Sequence, residues 1–388
     1  MSHPLEGLRV LDFSRVLAGP FAGRMLSDLG ADVVKVEPPE GDVTRLWGAR
    51  INGVAGYFHQ QNAGKRDVCI DLTVDGAAEL AKSLAARADV VIENFRPGVM
   101  DRLGIGYAVL AADHPELVML SISGFGQGGP ESDRAAYAPI IHAESGVMAR
   151  QARLYRHAAV DMALSIADTN ASLHGLVALL AALLMRQRTG QGQHIDMAMI
   201  DAMLVTDDAL HFSLEASEGT QPIRSEVWDT AAGPVIIAGD FRHIWRQLER
   251  HCGVVDATPQ GATLEEKIAS RRETARAFFA MLRDRDALID ALDRMNLAWG
   301  DVRTSNTAVE LPTVKHRGTI THVDDRGGGT RQVVQSPYRF SNAASGVRGG
   351  APHQGEHNAE VLQHWLGASD ADIAGWRAAG VLLEKGAD

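Results

Sequence analysis

Asp168 stands in Ser165-Ile-Ala-Asp-Thr-Asn, ahead of the apolar run Leu176 to Met185. A carboxylate at the mouth of a buried helix is a candidate nucleophile, because the unpaired N–H groups there stabilise negative charge and can be aimed at a reacting centre. The same residues also fit a capping box: Ser165 and Asp168 have the S-x-x-D spacing in which the acid only satisfies an N-terminal amide. A second cluster, Asn94-Phe-Arg-Pro-Gly-Val-Met-Asp-Arg-Leu-Gly, combines an amide, an aromatic ring and the guanidinium groups of Arg96 and Arg102. Such a set can stack on a purine and pair with phosphate, and it equally describes a capped turn with solvated arginines. His142 lies close to Glu144, and His174 lies in the Asp168 helix; both histidines read first as packing residues.

Several common chemistries lack their motifs. No G-x-G-x-x-G follows the first strand, where the turn is Ser14-Arg-Val-Leu-Ala-Gly-Pro, so a dinucleotide oxidoreductase loses its pyrophosphate cradle. The small residues Ala18 and Gly19 still leave room for a ligand at that strand's end, and Gly19-Pro20 suits a turn into a helix. No H-E-x-x-H, G-x-S-x-G or EF-hand pattern occurs. Asp324-Asp-Arg-Gly-Gly-Gly-Thr-Arg lacks the Lys-Ser/Thr and helix of a P-loop and reads as a hairpin turn. Cys69 and Cys252 are the two cysteines, without C-x-x-C spacing, so neither a disulfide framework nor a zinc site is expected.

The elements that position these residues follow from composition and periodicity. A chain of 388 residues has room for two or three domains. An apolar fraction of 45% and a charged fraction of 22% suffice for a buried core. The net charge of −11 argues against nucleic-acid and anionic-membrane surfaces, which need clustered Lys and Arg. Met-Ser-His-Pro-Leu-Glu has no signal-peptide pattern, and the apolar run is shorter than the roughly 20 residues of a membrane span, so a cytoplasmic protein is expected.

Leu8 to Ser14, Asp32 to Pro38, Asp89 to Phe95, Leu117 to Phe125 and His194 to Met199 read as strands. Between them, Pro20 to Leu29, Gly76 to Arg87, Tyr107 to Ala112 and the Asp168 segment read as helices. This alternation predicts a mostly parallel sheet covered on both faces, with ligands at the carboxyl ends of the strands. Residues 1–205 form the first part of a larger α/β domain and 206–233 a linker. Residues 234–325 form a smaller α+β domain, with helices over Phe241 to His251 and Leu264 to Met295. Residues 326–388 supply a second linker and two short terminal helices. Gly318 to Val323 and Gln332 to Phe340 read as the strands of the hairpin.

In order and spacing, the pieces Gly7-Leu-Arg-Val-Leu-Asp-Phe-Ser, Ala18-Gly-Pro, Leu29-Gly-Ala-Asp-Val-Val-Lys-Val-Glu-Pro, Asn62-Ala-Gly-Lys-Arg, Glu93-Asn-Phe-Arg-Pro-Gly, Ser123-Gly-Phe-Gly, Arg188-Thr-Gly-Gln-Gly-Gln and Gly355-Glu-His, together with Asp168, form a composite signature. It resembles the family III CoA-transferases of the CaiB/BaiF type, with the α-methylacyl-CoA racemases as relatives. The resemblance spans nearly the whole chain. It implies a Rossmann-like CoA-binding domain, C-terminal helices that return to it, and two ring-like subunits threaded into an interlocked homodimer. By the same resemblance Asp168 is the catalytic aspartate, which passes through aspartyl anhydride and aspartyl-CoA thioester intermediates. Asn94, Phe95, Arg96 and Arg102 would hold the adenine and phosphates of CoA, with Ile70 beside the base. Tyr137 and Ala138 would lie along the pantetheine arm, and backbone groups at Leu17 and Ala18 would steady the oxyanions. Acyl-CoA and carboxylic acid are then substrates, with no tightly bound cofactor or metal.

Departures from the family pattern bear on specificity. Leu17 replaces the glutamine of formyl-CoA transferases, and their glycine-rich mobile loop is absent, which disfavours formyl and oxalate transfer. Ala138 stands in place of an acid and Pro38 in place of a basic adenine-pocket residue. Ala136-Tyr137-Ala138 stands where the racemases carry Gly-His-Asp, so racemase-type proton transfer is the second reading, with His142 as the substitute base. A CoA-binding homologue without catalysis is the third. Acceptors are expected among short or medium carboxylic acids, with dicarboxylates engaged by Arg15 or Arg224.

Overall fold

Six short strands carry the larger part of the molecule: β1 (Arg9–Asp12), β2 (Asp32–Glu37), β5 (Arg66–Cys69), β6 (Val90–Glu93), β7 (Val118–Ser123) and β8 (Gln193–Ala198). In a computed structural model that describes residues 1–220 and 225–384, they form one sheet in the order β5-β2-β1-β6-β7-β8. Every pairing is parallel. Strands such as β6 and β7 are buried along their whole length, which is why they read as unbroken apolar runs rather than alternating ones. Counted as successive strands the order is 3-2-1-4-5-6, the doubly wound arrangement. A two-strand ribbon, β3 (Arg50–Ile51) and β4 (Val54–Ala55), lies outside this sheet.

Helices cover both faces: α1 (Ala18–Asp28), α2 (Gly56–Asn62), α3 (Ala77–Ala85), α4 (Val99–Arg102), α5 (Tyr107–Asp113), α6 (Ala138–Glu144), α7 (Val147–Tyr155), α8 (Ile166–Thr189) and α9 (Met199–Thr206). Adjacent strand residues point to opposite faces. Leu11, Val34, Val68 and Val91 pack on one side with α3, Trp365 and Ile373. Val10, Val33, Val90 and Leu120 pack on the other with α1 and α8.

The helix α8 extends well beyond the apolar run, because Ile166 to Gly175 continues it backwards and Gly190, at φ 68°, ends it. By length and composition alone it would cross a membrane. Here it lies on the sheet through Ala167, Ala171, Gly175 and Leu179. A Cβ on Gly175 would stand 3.0 Å from Leu120 Cδ2, so the small side chains set how closely the helix approaches.

β5 is a strand that the sequence pattern does not reveal, since Arg66-Asp-Val-Cys opens on two charges. It forms an edge, and the chain's end covers it. The Asn358 side chain accepts from Cys69 N–H at 2.9 Å, Gly355 N–H donates to Asp67 Oδ1 at 2.6 Å, and Leu383 N–H donates to Cys69 O at 3.1 Å. An edge closed in this way has no free ladder groups to template aggregation.

By Cα proximity the chain divides into Met1–Asp208 with His316–Asp388, and Ala209–Lys315. The second unit has its own antiparallel sheet, in which β10 (Val235–Ile237) lies between β9 (Glu226–Trp228) and β11 (Trp299–Asp301). Its core is built on Trp228, Trp245, Leu248, Phe279 and Leu292. The single helix expected over Leu264 to Met295 is two, Leu264–Met281 and Arg285–Arg294, because Asp284 accepts from Asp286 N–H and caps a new start. In the first unit β12 (Ile320–Asp324) and β13 (Thr330–Val334) pair as the expected hairpin. Its turn is held by Asp325 Oδ1, which accepts from Gly327 and Gly329 N–H at 2.8 and 2.9 Å. The second strand stops at Val334 rather than running to Phe340, since Pro337 cannot donate to a ladder.

Candidate active site

β1 and β6 are neighbours, and the chain leaves them in opposite directions across the sheet, which opens a crevice at their carboxyl ends. The turn after β1 forms one wall. Register sets Asp12, Lys35 and Asp67 side by side across β1, β2 and β5, and all three are buried. Lys65 Nζ donates to Asp12 Oδ2 (2.8 Å), Pro20 O (2.9 Å) and Asn62 Oδ1 (2.9 Å). Burial pushes its pKa down to about 8, although Asp12 holds the charge in place. Asp12 Oδ1 in turn accepts from the backbone N–H and the hydroxyl of Ser14. Asn94 clasps the same turn: its Oδ1 accepts from Arg15 N–H and its Nδ2 donates to Arg15 O, both at 2.8 Å. The amide expected to hold the ligand is thus engaged with backbone, and Asn94 shapes the crevice by fixing its wall.

Asp168 enters from α8, two residues beyond Ile166. Ser165 makes no side-chain cap bond, so the capping box is not formed. The cap comes from elsewhere. His142 Nε2 accepts from Ala167 N–H at 3.2 Å, while its Nδ1 lies 2.8 Å from Asp161 Oδ1. An acceptor Nε2 places the proton on Nδ1, which then donates to Asp161. Both ring nitrogens of this buried imidazole are engaged, and none is left to remove a substrate proton. Ser172 Oγ donates to Ala18 O and to Asp168 O, which ties the first turns of α8 and α1 together. Asp168, not engaged by Ser165, is half-buried in the crevice. Burial pushes its pKa up to about 6, against a smaller opposing effect of the hydrogen bond it accepts from its own backbone N–H. A carboxylate of this basicity is ionised at neutral pH and is a stronger nucleophile than a solvated one.

The expected ligand residues fall in three adjoining hollows. Ala18, Asn94, Phe95, Arg96 and Tyr137 line the crevice with Asp168 and Arg15. Ile70 lines an apolar slot with Pro38, Leu72, Phe95 and Leu103. Arg102 lies in a polar hollow with Arg96, Glu93 and His194. Arg15 and Phe95 border both of the first two, and Arg96 borders the first and third. Leu17 and Ala138 are buried, with 6% and 2% exposure, and line none of these hollows. Arg224 lies outside the described residues. Glu93, raised to about 7 by burial, accepts from Phe95 N–H at 2.8 Å and sets that ring's loop.

Sequence reasoning missed two features of the site's surroundings. Tyr57, on α2, has its phenol pushed up by burial and further by the charges of Asp168 and Asp42; its ring meets Trp47 edge-on at 5.1 Å. The buried network around Lys65 was visible only as the string Asn62-Ala-Gly-Lys-Arg. Its signal was a lysine close to apolar strands, which acquires meaning once Asp12 is placed opposite.

The chain matches CoA-transferase family III over residues 5–358. It is 32% identical over 385 residues to the succinate–glutarate CoA-transferase of Agrobacterium fabrum, covering 92% of this chain and 95% of that one. It is 31% identical over 388 residues to the succinyl-CoA–D-citramalate CoA-transferase of Chloroflexus aurantiacus, covering 96% of each. Among solved structures, a CaiB/BaiF family protein from Brucella suis superposes with a TM-score of 0.80 at 32% identity, covering 94% of this chain and 100% of that chain.

Proposed function

The chain belongs to CoA-transferase family III and is an acyl-CoA:carboxylate CoA-transferase by that membership; on that premise we propose that Asp168 carries the CoA group between two carboxylic acids. The observation that supports this most is the Asp168 carboxylate, outside any capping box with Ser165 and raised in basicity, in a crevice shared with Arg15, Phe95 and Arg96.

In the proposed route an Asp168 oxygen attacks the donor thioester carbonyl. The tetrahedral oxyanion collapses with cleavage of the C–S bond, giving a mixed anhydride and CoA thiolate. The thiolate attacks Asp168 Cγ, the anhydride C–O bond breaks, and the donor acid leaves an aspartyl-CoA thioester. An acceptor carboxylate then attacks Cγ and expels the thiolate, which attacks the new acyl carbonyl and restores Asp168. Each step exchanges one acyl bond for another, so thioester energy is conserved without ATP. The N–H of Ala18, in the first turn of α1 and without a protein acceptor among the described residues, is placed to donate to an oxyanion in this crevice.

The apolar slot of Pro38, Ile70, Leu72 and Phe95 suits the adenine of CoA, and Arg96 with Arg102 suits its phosphates. Leu17 and Ala138 would act through backbone only. Arg15 has no carboxylate partner among the described residues and borders the crevice, which supports a dicarboxylate as donor or acceptor; the two relatives named above carry dicarboxylates in their names. The enzyme is proposed to act as a cytoplasmic interlocked homodimer.

Steady-state assay with succinyl-CoA and a panel of mono- and dicarboxylates tests this reading. Parallel double-reciprocal lines and a preference for dicarboxylates that Arg15→Ala abolishes are expected. Intersecting lines would show that the donor acid stays bound until the acceptor arrives, and an unchanged acceptor preference in Arg15→Ala would remove the dicarboxylate assignment.

A further inference from the structure

We propose that Asp42, acting with Lys35, is a positioning residue: it holds Val16 in a left-handed backbone conformation and so fixes the turn that walls the crevice beside Asp168. The functional part of this inference rests on Asp168 as nucleophile.

Val16 has φ 68°, and it is the β-branched member of the non-glycine residues with positive φ among those described. A side chain branched at Cβ resists that region, and such a conformation persists only where the surroundings over-determine it. The surroundings do so here. Val16 N–H donates to Asp42 Oδ2 at 3.1 Å, and Lys35 Nζ lies 3.2 Å from the same oxygen. Asp42 Oδ1 is fixed separately by the N–H and hydroxyl of Thr44, at 3.0 and 2.8 Å. Lys35 Nζ also donates to Ser14 O at 2.6 Å. Burial works against both charges, yet each is held ionised by the other and by its neighbours.

The consequence reaches the reacting centre. Arg15, Val16 and Ala18 all border the crevice with Asp168, so releasing Val16 to its preferred negative φ would swing Arg15 and the start of α1 relative to the carboxylate. A misplacement of about 1 Å at such a site costs on the order of 10²-fold in rate.

Asp42 is isosteric with asparagine, but the amide must turn its NH₂ toward either Thr44 N–H or the pair formed by Val16 N–H and Lys35 Nζ. One contact becomes donor against donor. Asp42→Asn is therefore expected to lower kcat for CoA transfer on the order of 10²-fold and to accelerate hydrogen exchange at the Val16 amide. Because Asp42 and Lys35 also border the apolar slot, Val16→Pro serves as the independent variant. It leaves the ion pair intact, removes the N–H and forbids positive φ, so a loss in kcat of similar size is expected. It also carries the test should Asp42→Asn fail to fold. Val16→Gly, which takes positive φ freely, is expected to recover part of the rate when added to Asp42→Asn.

Val16→Pro with unchanged kcat and KM, or Asp42→Asn with both wild-type kcat and wild-type exchange at Val16, would overturn the proposal. If the wild-type chain transfers CoA while these variants behave as wild type, the positioning role fails and the Asp168 reading stands. If no donor gives transfer or adduct, the Asp168 reading fails, while faster Val16 exchange in Asp42→Asn still supports the restraint by Asp42.

Discussion

The environment that makes Asp168 reactive also makes it costly to fold. Its ordinary pKa is 3.8 and burial raises it to about 6, so between those values the folded chain holds a proton that the unfolded chain has lost. Stability therefore falls as pH rises through that window, and the full penalty is present above pH about 6. Asp168→Asn is expected to abolish transfer and raise the melting temperature at pH 7.5, an advantage that shrinks toward pH 4 and is read by calorimetry across the range. The rate should follow the ionised carboxylate, with kcat/KM rising through pH about 6 to a plateau, provided that no other group limits it. Part of this was legible in the sequence. The position of Asp168 at a helix start was readable from local residues, but the absence of the capping box was not, because the N–H of Ala167 is taken by His142, 25 residues before it in the chain. Asn94 illustrates the opposite case: its amide reads as a ligand contact by type and is spent on the Arg15 backbone by geometry.

At the scale of elements, two devices aim the site: the cap on α8 and the buried charges under the turn after β1. His142→Ala leaves Ala167 N–H without its acceptor, a loss of about 1–3 kcal/mol for a buried donor, expected as a lowered urea midpoint. Proton exchange at a substrate α-carbon is not expected in either protein, since neither imidazole nitrogen is free in the wild type. Lys65→Met strips Asp12 of its partner in a dry site, and leaving one charge of a buried pair costs about 3–5 kcal/mol; chemical denaturation measures it. The βα alternation was legible because the central strands are buried on both faces and read as apolar runs. β5 was not legible, since its identity as a strand depends on β2 beside it and on residues 355–383 covering its edge. The break between helices at Asp284 was missed because Leu264 to Met295 lacks a proline or glycine, and the stop is made by a side-chain cap.

For the whole molecule, the outer face of α8 is unusual. Leu173, Val177 and Leu184 are 44%, 68% and 63% exposed on a helix whose other side is core, and contiguous apolar surface of this kind marks association. Under the proposed homodimer, light scattering should give twice the chain mass, and Val177→Asp should lower the dimer's melting temperature. A monomer at micromolar concentration would rule out the interlocked assembly. Assembly and acyl specificity were the least legible features, because both depend on surfaces whose partners lie outside the chain's own core. Asp168 as the covalent carrier is tested most directly by the intact mass of the protein after incubation with succinyl-CoA and other acyl-CoA donors, beside Asp168→Ala. The expected result is a CoA-sized adduct on the wild-type chain, removed by hydroxylamine and absent from the variant. A wild-type chain that moves CoA to an acceptor without an adduct, or an adduct that persists in Asp168→Ala, would contradict it.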